Sequence, residues 1–335
     1  MLLPRPSSLL LGAAALALVG CSDKPKAPSR EQQAPNSLPQ QIAQSQRTDA
    51  TCIAPLDLPG SRSAVRAATG SLKIGAVAGL KDADDDNVAH LRRLVAELRR
   101  LGAEVLVADG DLGDNADEQE TLLGVLTETG LPVLVAAGNR EVRSELDGAE
   151  AELRKKGAKL FDLSHARIVD LGDALVVGLP GAFERRQLHA DGACLYVQKD
   201  LDQLAQALDK IAAGPVPALL VAAVPPRGHD ARALDFSEGQ NLGDSRLSGL
   251  LGPHRAAFGI FGSVWEAGGR AIDGHSAPLA QGVESEQLYL NPGAADKTPW
   301  PMADGSTVFG QAALLSIRGR RAAHQIIRLE PARPR

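Results

Sequence analysis

The sequence predicts an α/β fold built on a largely parallel sheet with helices on both faces. Short, mostly apolar runs at 73–78, 104–108 and 132–137 alternate with segments whose apolar residues recur at helical spacing. A run without polar alternation is typical of a strand that is covered on both faces. Strand–helix–strand units in succession favour right-handed crossovers and parallel pairing.

The chain begins with a predicted export signal. An apolar run starting at Leu9 follows Arg5 and ends in the tetrapeptide Leu-Val-Gly-Cys at 18–21. The run is shorter than the about 20 apolar residues that span a bilayer, and its charged, apolar and small-residue zones are those of a cleavable signal. The tetrapeptide resembles the lipobox of bacterial lipoproteins. We therefore expect residues 1–20 to be a signal peptide and Cys21 to carry lipid, with an ordinary secretory signal as the alternative.

The residues after Cys21 predict where the protein is anchored. Several acyl chains on one cysteine, each contributing about 0.8 kcal/mol per buried methylene, hold a protein firmly at a membrane. An Asp after the cysteine would resemble an inner-membrane retention signal, and Ser22 stands there instead. We therefore expect an outer-membrane lipoprotein that faces the periplasm. Residues 21–51, rich in Pro, Gln and Lys, cannot bury a core and predict a disordered tether, which leaves 52–335 as one domain.

Composition limits the class of partner. The formal net charge is -5 and the pI is near 5.8. Nucleic acid is not an expected partner, because its phosphates require a clustered basic face. The expected partner is the membrane, through the lipid anchor.

The remaining two cysteines have two interpretations. Cys52 and Cys194 would lie in an oxidising compartment, where thiols tend to pair. A disulfide between them would tie the end of the tether to the middle of the domain. The alternative is two separate buried thiols, each packing as a small apolar side chain.

The order of elements follows from apolar spacing. A helix is predicted to begin at Asp84–Asn87 and to end at Gly102, since apolar residues recur between them at Val88, Leu91, Leu94, Val95 and Leu98. Further helices are predicted over 117–126 and 200–212, and further strands over 175–178, 218–223 and 257–261. The tail has apolar runs at 287–290, 312–317 and 323–327 without long helices, which predicts a second, more antiparallel sheet.

Polar motifs follow several of the predicted strands. The segments 109–114, 138–141, 225–228 and 291–293 each come after an apolar run. In open α/β sheets the ligand crevice lies beyond the carboxyl ends of the strands. Each motif alone is also ordinary turn sequence, so the signal is their order along the chain.

That order resembles the calcineurin-like metallophosphoesterase family over about Leu72 to the C-terminus. The family's Gly-Asp-x-x-Asp, Gly-Asn-His-Glu and Asn-Pro-Gly blocks are matched at 110–114, 138–141 and 291–293. The resemblance implies a four-layered α/β/β/α sandwich. It also implies that Asp111 bridges two metal ions and that Asn139 coordinates one of them, in a hydrolase that activates water for attack on a phosphoryl group.

The chain departs from the family at its histidines. The opening Asp-x-His is replaced by Gly79-Leu80-Lys81, and the His of the second matched block is Arg140. Three further substitutions fall at Ala223, Ser263 and Trp265. Without imidazole donors a dinuclear site binds metal poorly, so we expect no metal cofactor. The other histidines, at 90, 165, 189, 254, 275 and 324, show no metal-ligand spacing and are expected at the surface or in packing.

An altered metal site is the alternative. Asp111 and Asn139, helped by carboxylates at Asp82 and Asp84–Asp86 or by His229, could hold one or two divalent ions such as Mn, Fe or Zn. The acidic cluster at 84–86 is also typical of a solvated helix cap.

Fixed cations are expected where the family places metal charge. Lys81 and Arg140 would lie beside Asp111, with Asp114 and Glu141 nearby. The cluster is either a salt-bridged plug that neutralises Asp111 or an anion-binding pocket in which Arg140 offers its planar fork to phosphate or carboxylate. Asp114 and Glu141 are also expected to hold the loops by accepting backbone hydrogen bonds.

Three functions remain open from the sequence. The first is a lipid-anchored pseudoenzyme that binds a partner or has a structural role. The second is an active metal-dependent phosphoesterase with an altered ligand set. The third is an unrelated interaction lipoprotein with a coincidental resemblance.

Overall fold

Asp84 begins the first long helix of the computed structural model, which describes residues 53–56 and 62–330. Its carboxylate accepts a hydrogen bond from the amide of Asn87 at 2.9 Å, as an N-cap does. Val88, Leu91, Leu94, Val95 and Leu98 are all buried on one face of this helix. The helix predicted from the apolar spacing is therefore confirmed, and Leu101 caps its end.

The α-helices of the described part are α1 Asp85–Arg100, α2 Ala116–Thr127, α3 Arg143–Lys155 and α4 Gln198–Ala212. The strands are β1 Arg62–Ala64, β2 Leu72–Val77, β3 Val105–Asp109, β4 Val133–Ala136, β5 Leu160–Asp162, β6 Ile168–Asp170, β7 Leu175–Leu179, β8 Ala218–Ala222, β9 Phe236–Ser237, β10 Gln240–Asn241, β11 Ala256–Phe261, β12 Arg270–Ile272, β13 Leu288–Asn291, β14 Pro299–Pro301, β15 Thr307–Arg318 and β16 Arg321–Leu329.

Two seven-stranded sheets form the centre of the fold. The first sheet has the order β14-β15-β2-β3-β4-β5, with β16 paired to β15. Its strands β2 to β5 are parallel, and β15 pairs antiparallel with β2 so that Ala313 lies opposite Ala76. The second sheet has the order β1-β6-β7-β8-β11-β13-β12, and β7, β8, β11 and β13 run parallel in it.

Three apolar cores separate four layers. Helices α1, α2 and α3 pack on the outer face of the first sheet, for example through Leu94, Leu122 and Leu146. The two sheets pack face to face through a second core that includes Ile74 and Phe258. Helix α4 covers the outer face of the second sheet. The α/β/β/α sandwich implied by the resemblance is confirmed.

The tail of the chain differs from the prediction. Strand β13 pairs parallel with β11 in the second sheet, whereas β15 and β16 form an antiparallel hairpin on the first sheet. The prediction that these runs together form a second, more antiparallel sheet was wrong, because apolar runs do not reveal which sheet a strand joins. Helix α3 was not predicted, since several of its turns carry charged residues and only four positions are buried.

The N-terminal predictions lie largely outside the described residues. Residues 1–20, Cys21, the whole of the tether at 21–51 and Cys52 fall there. Cys194 is fully buried and disulfide-bonded, and its predicted partner Cys52 is not described. Among the described helices, none has the length and apolar character needed to cross a membrane.

Candidate functional site at the carboxyl ends of the strands

The loops after β2, β3 and β4 are joined by backbone hydrogen bonds. The amide of Gly79 donates to the carbonyl of Gly110 at 3.0 Å, and the amide of Leu80 donates to that of Asp111 at 2.8 Å. The amide of Gly110 donates in turn to the carbonyl of Ala136 at 2.8 Å. The polar motifs that follow these strands therefore meet at one edge of the first sheet.

The second sheet closes this crevice by direct backbone contact. A Cβ atom at Gly262, which follows β11, would lie 2.1 Å from the carbonyl oxygen of Asp109. Only glycine fits at this distance, because a side chain would displace the facing strand end. The amide of Ser263 also donates to the carbonyl of Ala223 at 2.8 Å. The carboxyl ends of both sheets therefore contribute to the same crevice.

Asp111 lies at the bottom of the crevice. It is 4% exposed, and its Oδ1 atom has no hydrogen-bond partner among the described residues. Burial, and then the carboxyl group of Glu141, raise the pKa of Asp111 to about 8, although Arg140 and Lys81 act in the opposite direction. Asp111 therefore holds a proton through most of the neutral range.

Asp109 lies two residues before Asp111 and is fully buried. Neither of its carboxyl oxygens has a hydrogen-bond partner among the described residues. Burial raises the pKa of Asp109 well above its ordinary value, and the nearby carboxyl groups of Asp111 and Glu141 add to this effect. Burial therefore favours the protonated form of Asp109 beneath the crevice.

Glu141 fastens two loops of the crevice. Its carboxylate accepts hydrogen bonds from the backbone amides of Leu112 at 2.6 Å and Gly138 at 2.5 Å. Burial raises the pKa of Glu141, while these amides act in the opposite direction. Its role is to position the loops after β3 and β4, since it lies fully buried beneath them.

Lys81 lies over two indole rings that contact each other, with ring centroids 4.7 Å apart. Its Nζ atom is 4.0 Å from the ring centroid of Trp265 and 3.9 Å from that of Trp300. The Nε1 atom of Trp300 donates to Asp296 at 2.7 Å, which fixes one wall of this aromatic cage. Burial lowers the pKa of Lys81, while the charges of Asp296 and then Asp111 oppose that effect. The cage holds a cation beside Asp111.

Arg140 and Asp114 form a two-point ion pair at the crevice mouth. Arg140 Nε and Nη2 donate to the two carboxylate oxygens of Asp114 at 2.9 and 3.2 Å. The two side chains are 29% and 57% exposed, so water screens the pair. The amide of Asp114 itself donates to Glu118. Asp114 therefore occupies the two guanidinium donors of Arg140. The hydrogen bonds that position the crevice loops come from Glu141 instead.

The two asparagines of the matched motifs are engaged in holding loops. The side-chain amide of Asn139 donates to the carbonyl of Gln187 at 2.6 Å. Asn291 is fully buried, and its amide donates to the carbonyls of Leu234 and Val264 at 3.0 and 2.7 Å. Both residues bind backbone carbonyls of other loops.

Comparison with known proteins identifies the fold. No family model and no curated protein matches the sequence. The structure is similar to that of the protein TT1561 of Thermus thermophilus, with a TM-score of 0.52, 15% identity, and coverage of 76% of this chain and 98% of that chain. A second solved structure matches with a TM-score of 0.56 and 15% identity, covering 78% of this chain and 99% of that chain.

The chain has the calcineurin-like metallophosphoesterase fold. A dimetal phosphatase of Danio rerio is among the similar structures, with a TM-score of 0.46, 15% identity, and coverage of 77% of this chain and 99% of that chain.

The crevice does not fit the metal pair that the metallophosphoesterase fold implies. Asp111 Oδ1 is a buried acceptor without a partner among the described residues, but the surrounding positions hold Gly79, Lys81 and Trp265 in place of ligands. A Cβ atom at Gly79 would lie 2.9 Å from Trp265 Nε1, so the indole occupies the space that an Asp side chain would need. The ammonium group of Lys81 repels cations from the same place.

The acidic residues near the crevice do not complete a set of metal ligands. Asp84 caps α1 and pairs with Lys297 at 2.6 Å. Among the described residues, the one group of three metal-ligating side chains that converges is Asp147, Asp162 and His165, within 4.8 Å of one another. Arg143 already forms ion pairs with both carboxylates of that group. Sequence spacing gave no indication of this group, because its members come from α3 and the end of β5.

Three residues of the crevice were not found from the sequence. Asp109 carried one signal, an acid that ends an otherwise apolar strand, but such an acid is also ordinary turn sequence. Trp300 and Asp296 carried none, since they reach the crevice from β14 and the loop before it. Their proximity to Lys81 depends on tertiary packing alone.

Proposed function

We propose that this protein is a membrane-anchored lipoprotein whose metallophosphoesterase-type domain is catalytically degenerate and works as a binding or structural module. The observation that carries the proposal is the position of Lys81 Nζ, 4.0 and 3.9 Å from the rings of Trp265 and Trp300 and beside Asp111. The resemblance places a metal-ligating His at this position. A built-in cation then takes over the neutralising role of a metal.

The chemistry of a phosphoesterase would lack its main elements in this arrangement. A metal pair polarises the phosphoryl group and lowers the pKa of the attacking water. Lys81 carries one charge, has no vacant coordination position and cannot generate a bound hydroxide. A divalent cation would have to displace the proton that burial favours on Asp111. Binding without turnover is the function that these residues support.

A second candidate is a phosphoesterase with an altered ligand set. Asp111 Oδ1 favours it, because a buried acceptor without a partner among the described residues is a place that a divalent ion could satisfy. Asn139 and the acids near α1 would have to leave their present contacts with Gln187 and Lys297 to supply the remaining oxygen ligands for Mn, Fe or Zn. This candidate requires Asp111 to lose its proton on metal binding.

Metal content and turnover separate the two candidates. The full chain is purified in a non-ionic detergent from cells grown with Mn, Fe and Zn, its bound metals are counted, and a phosphomonoester and a phosphodiester are assayed with added Mn²⁺. We expect less than stoichiometric metal and no turnover above that of Asp111→Asn. Stoichiometric metal together with activity that Asp111→Asn abolishes, and the exposed control Asp209→Asn keeps, would establish the altered hydrolase.

The anchor is tested separately. We infer that Cys21 carries lipid and that the domain faces the periplasm at the outer membrane, on the strength of the tetrapeptide at 18–21 and of Ser22. Cys21→Ser is expected to lose labelling by a fatty-acid analogue and to leave the membrane fraction, with Ser22→Ala as control. Ser22→Asp is expected to move the protein to the inner membrane. Unchanged labelling in Cys21→Ser would refute the anchor.

A further inference from the structure

A second cleft lies apart from the crevice of the matched motifs. It is formed by Arg270 and Ala271 of β12, the loop at Pro278–Leu279, and His324 of β16, and has a volume of about 560 Å³. None of its lining residues belongs to the crevice described above. The volume is within the range of about 300–1,000 Å³ that is usual for small-molecule sites.

Arg270 gives this cleft a charge without a direct counterion. Its Nη1 atom donates to the carbonyl of Ala231 at 2.6 Å, and no carboxylate of the described residues lies within 4.0 Å of the guanidinium. Burial lowers the pKa of Arg270, Asp304 opposes that effect, and Arg328 adds to it. A half-buried guanidinium with one hydrogen bond used retains donors for a ligand.

Arg328 adds a second cation behind Arg270. Its Nη2 atom lies so close to Gly269 that a Cβ atom there would be 2.9 Å away, and its Nε atom donates to Gln311 at 3.0 Å. Asp304 also lines the cleft and is the opposing charge there, and its carboxylate accepts two hydrogen bonds from Ser306. Two guanidinium groups against this one carboxylate leave a net positive charge. The charges at this end of the cleft therefore favour an anion.

The rest of the cleft is mainly apolar. Ala271, Pro278 and Leu279 contribute to one wall, and Leu279 is fastened by its amide to the carbonyl of Ala271 at 2.8 Å. His324 also lines the cleft, and its Nδ1 atom is buried without a hydrogen-bond partner among the described residues. Because burial lowers the pKa of His324, its ring is neutral and adds no charge at neutral pH.

We propose that this cleft binds a small aliphatic monocarboxylate. The carboxylate would accept two hydrogen bonds from the planar guanidinium of Arg270, and the aliphatic chain would lie along Pro278 and Leu279. The site requires both parts of the ligand, because the cation selects the head group and the apolar wall selects the chain. The proposal does not depend on whether the other crevice binds metal.

Hexanoate is the probe for this proposal. The full chain is purified in a non-ionic detergent, and binding is measured by calorimetry and by the shift of the thermal unfolding midpoint, with detergent alone as blank. Hexanol has a similar chain without the charge, and acetate has the charge without the chain. We expect hexanoate to bind at least about tenfold more tightly than either, since the two contributions are independent.

Variants locate the binding. Arg270→Gln is expected to weaken hexanoate binding at least about tenfold, while Arg255→Gln, a remote arginine paired with Asp209, leaves it unchanged. Leu279→Ala is expected to weaken hexanoate and to leave acetate unaffected, and this variant decides the matter should Arg270→Gln fail to fold. Equal binding of hexanol and hexanoate, equal stabilisation by inorganic phosphate, or full binding by Arg270→Gln would each overturn the proposal.

Discussion

The backbone amide of Lys81 donates to the carbonyl oxygen of Asp111 at 3.1 Å, and both residues have left-handed φ angles, 59° and 54°. In residues other than glycine such a backbone costs on the order of 1–3 kcal/mol. The two neighbouring loops therefore hold their side chains toward one another against local strain. The free energy of unfolding should therefore be sensitive to substitution of Lys81 and Asp111.

Asp111→Asn is expected to stabilise the protein at pH 8. Asparagine tolerates the left-handed backbone and needs no proton, so the variant avoids the cost of burying the acid, about 1–3 kcal/mol. The folded pKa of Asp111 is about 8 against an ordinary value of 3.8, so its contribution to stability is complete below pH 3.8 and is lost as the pH rises through 8. Urea unfolding at pH 4 to 9 should show a shallower decline in the variant. An unchanged slope, with Asp209→Asn as the surface control, would contradict the assigned burial.

Lys81→Met is expected to lower the free energy of unfolding by about 1–2 kcal/mol, because it removes the cation that lies over two indole rings while keeping the length of the side chain. The chain has two tryptophans, and both contact Lys81, so the indole fluorescence of the whole protein comes from this cage. The emission spectrum should change in Lys81→Met and stay constant in Lys199→Met, an exposed control. Equal stability of the two variants would show that the cage contributes no cation–π energy.

Arg140→Ala is expected to cost less than about 1 kcal/mol, as is usual for a screened surface pair. Since Asp114 already occupies the guanidinium, we expect inorganic phosphate to produce no shift of the unfolding midpoint that depends on Arg140. Thermal scans of wild type and variant at several phosphate concentrations check this. A phosphate-dependent rise that Arg140→Ala abolishes would favour an anion pocket over the ion-pair plug.

Glu141→Gln is expected to destabilise the protein by about 1–3 kcal/mol, because the amide nitrogen of glutamine cannot accept the hydrogen bond of a buried backbone amide. The carboxylate of Glu141 serves Leu112 and Gly138 at once, and glutamine can serve one of them. Hydrogen exchange of these two amides should accelerate in the variant. The exposed control Glu152→Gln should leave both rates unchanged.

The sequence was sufficient for the elements with regular apolar spacing. Helix α1 was found with its buried face and its Asp84 cap, and β2, β3 and β4 were found because they are apolar almost throughout. The order of motifs then indicated the sandwich. Helix α3 could not be predicted in this way, because charged residues in its turns interrupt the apolar spacing. The sheet that β15 joins could not be predicted either, because its partner β2 is distant in sequence.

The candidate site was predictable to the extent that it follows strand ends. Asp111, Arg140 and Lys81 were expected near one another from the family resemblance, whose blocks follow strands that end at one edge. The contact of Lys81 with Trp300 was not predicted, since Trp300 lies in β14, far from Lys81 along the chain. The burial of Asp109 also depends on Gly262, whose backbone closes over it from the other sheet.

The pairing of β2 with β15 has a consequence for the order of assembly. A chain that emerges N-terminus first presents Leu72–Val77 long before Thr307–Arg318, so one side of β2 has no partner until the C-terminal hairpin arrives. Contacts between such distant segments slow folding, because the entropy of closing the intervening loop is lost before the contacts form and stabilise the chain. The N-terminal half therefore cannot complete its sheet during synthesis. Loss of the hairpin of β15 and β16 would leave an aggregation-prone edge rather than a smaller native domain.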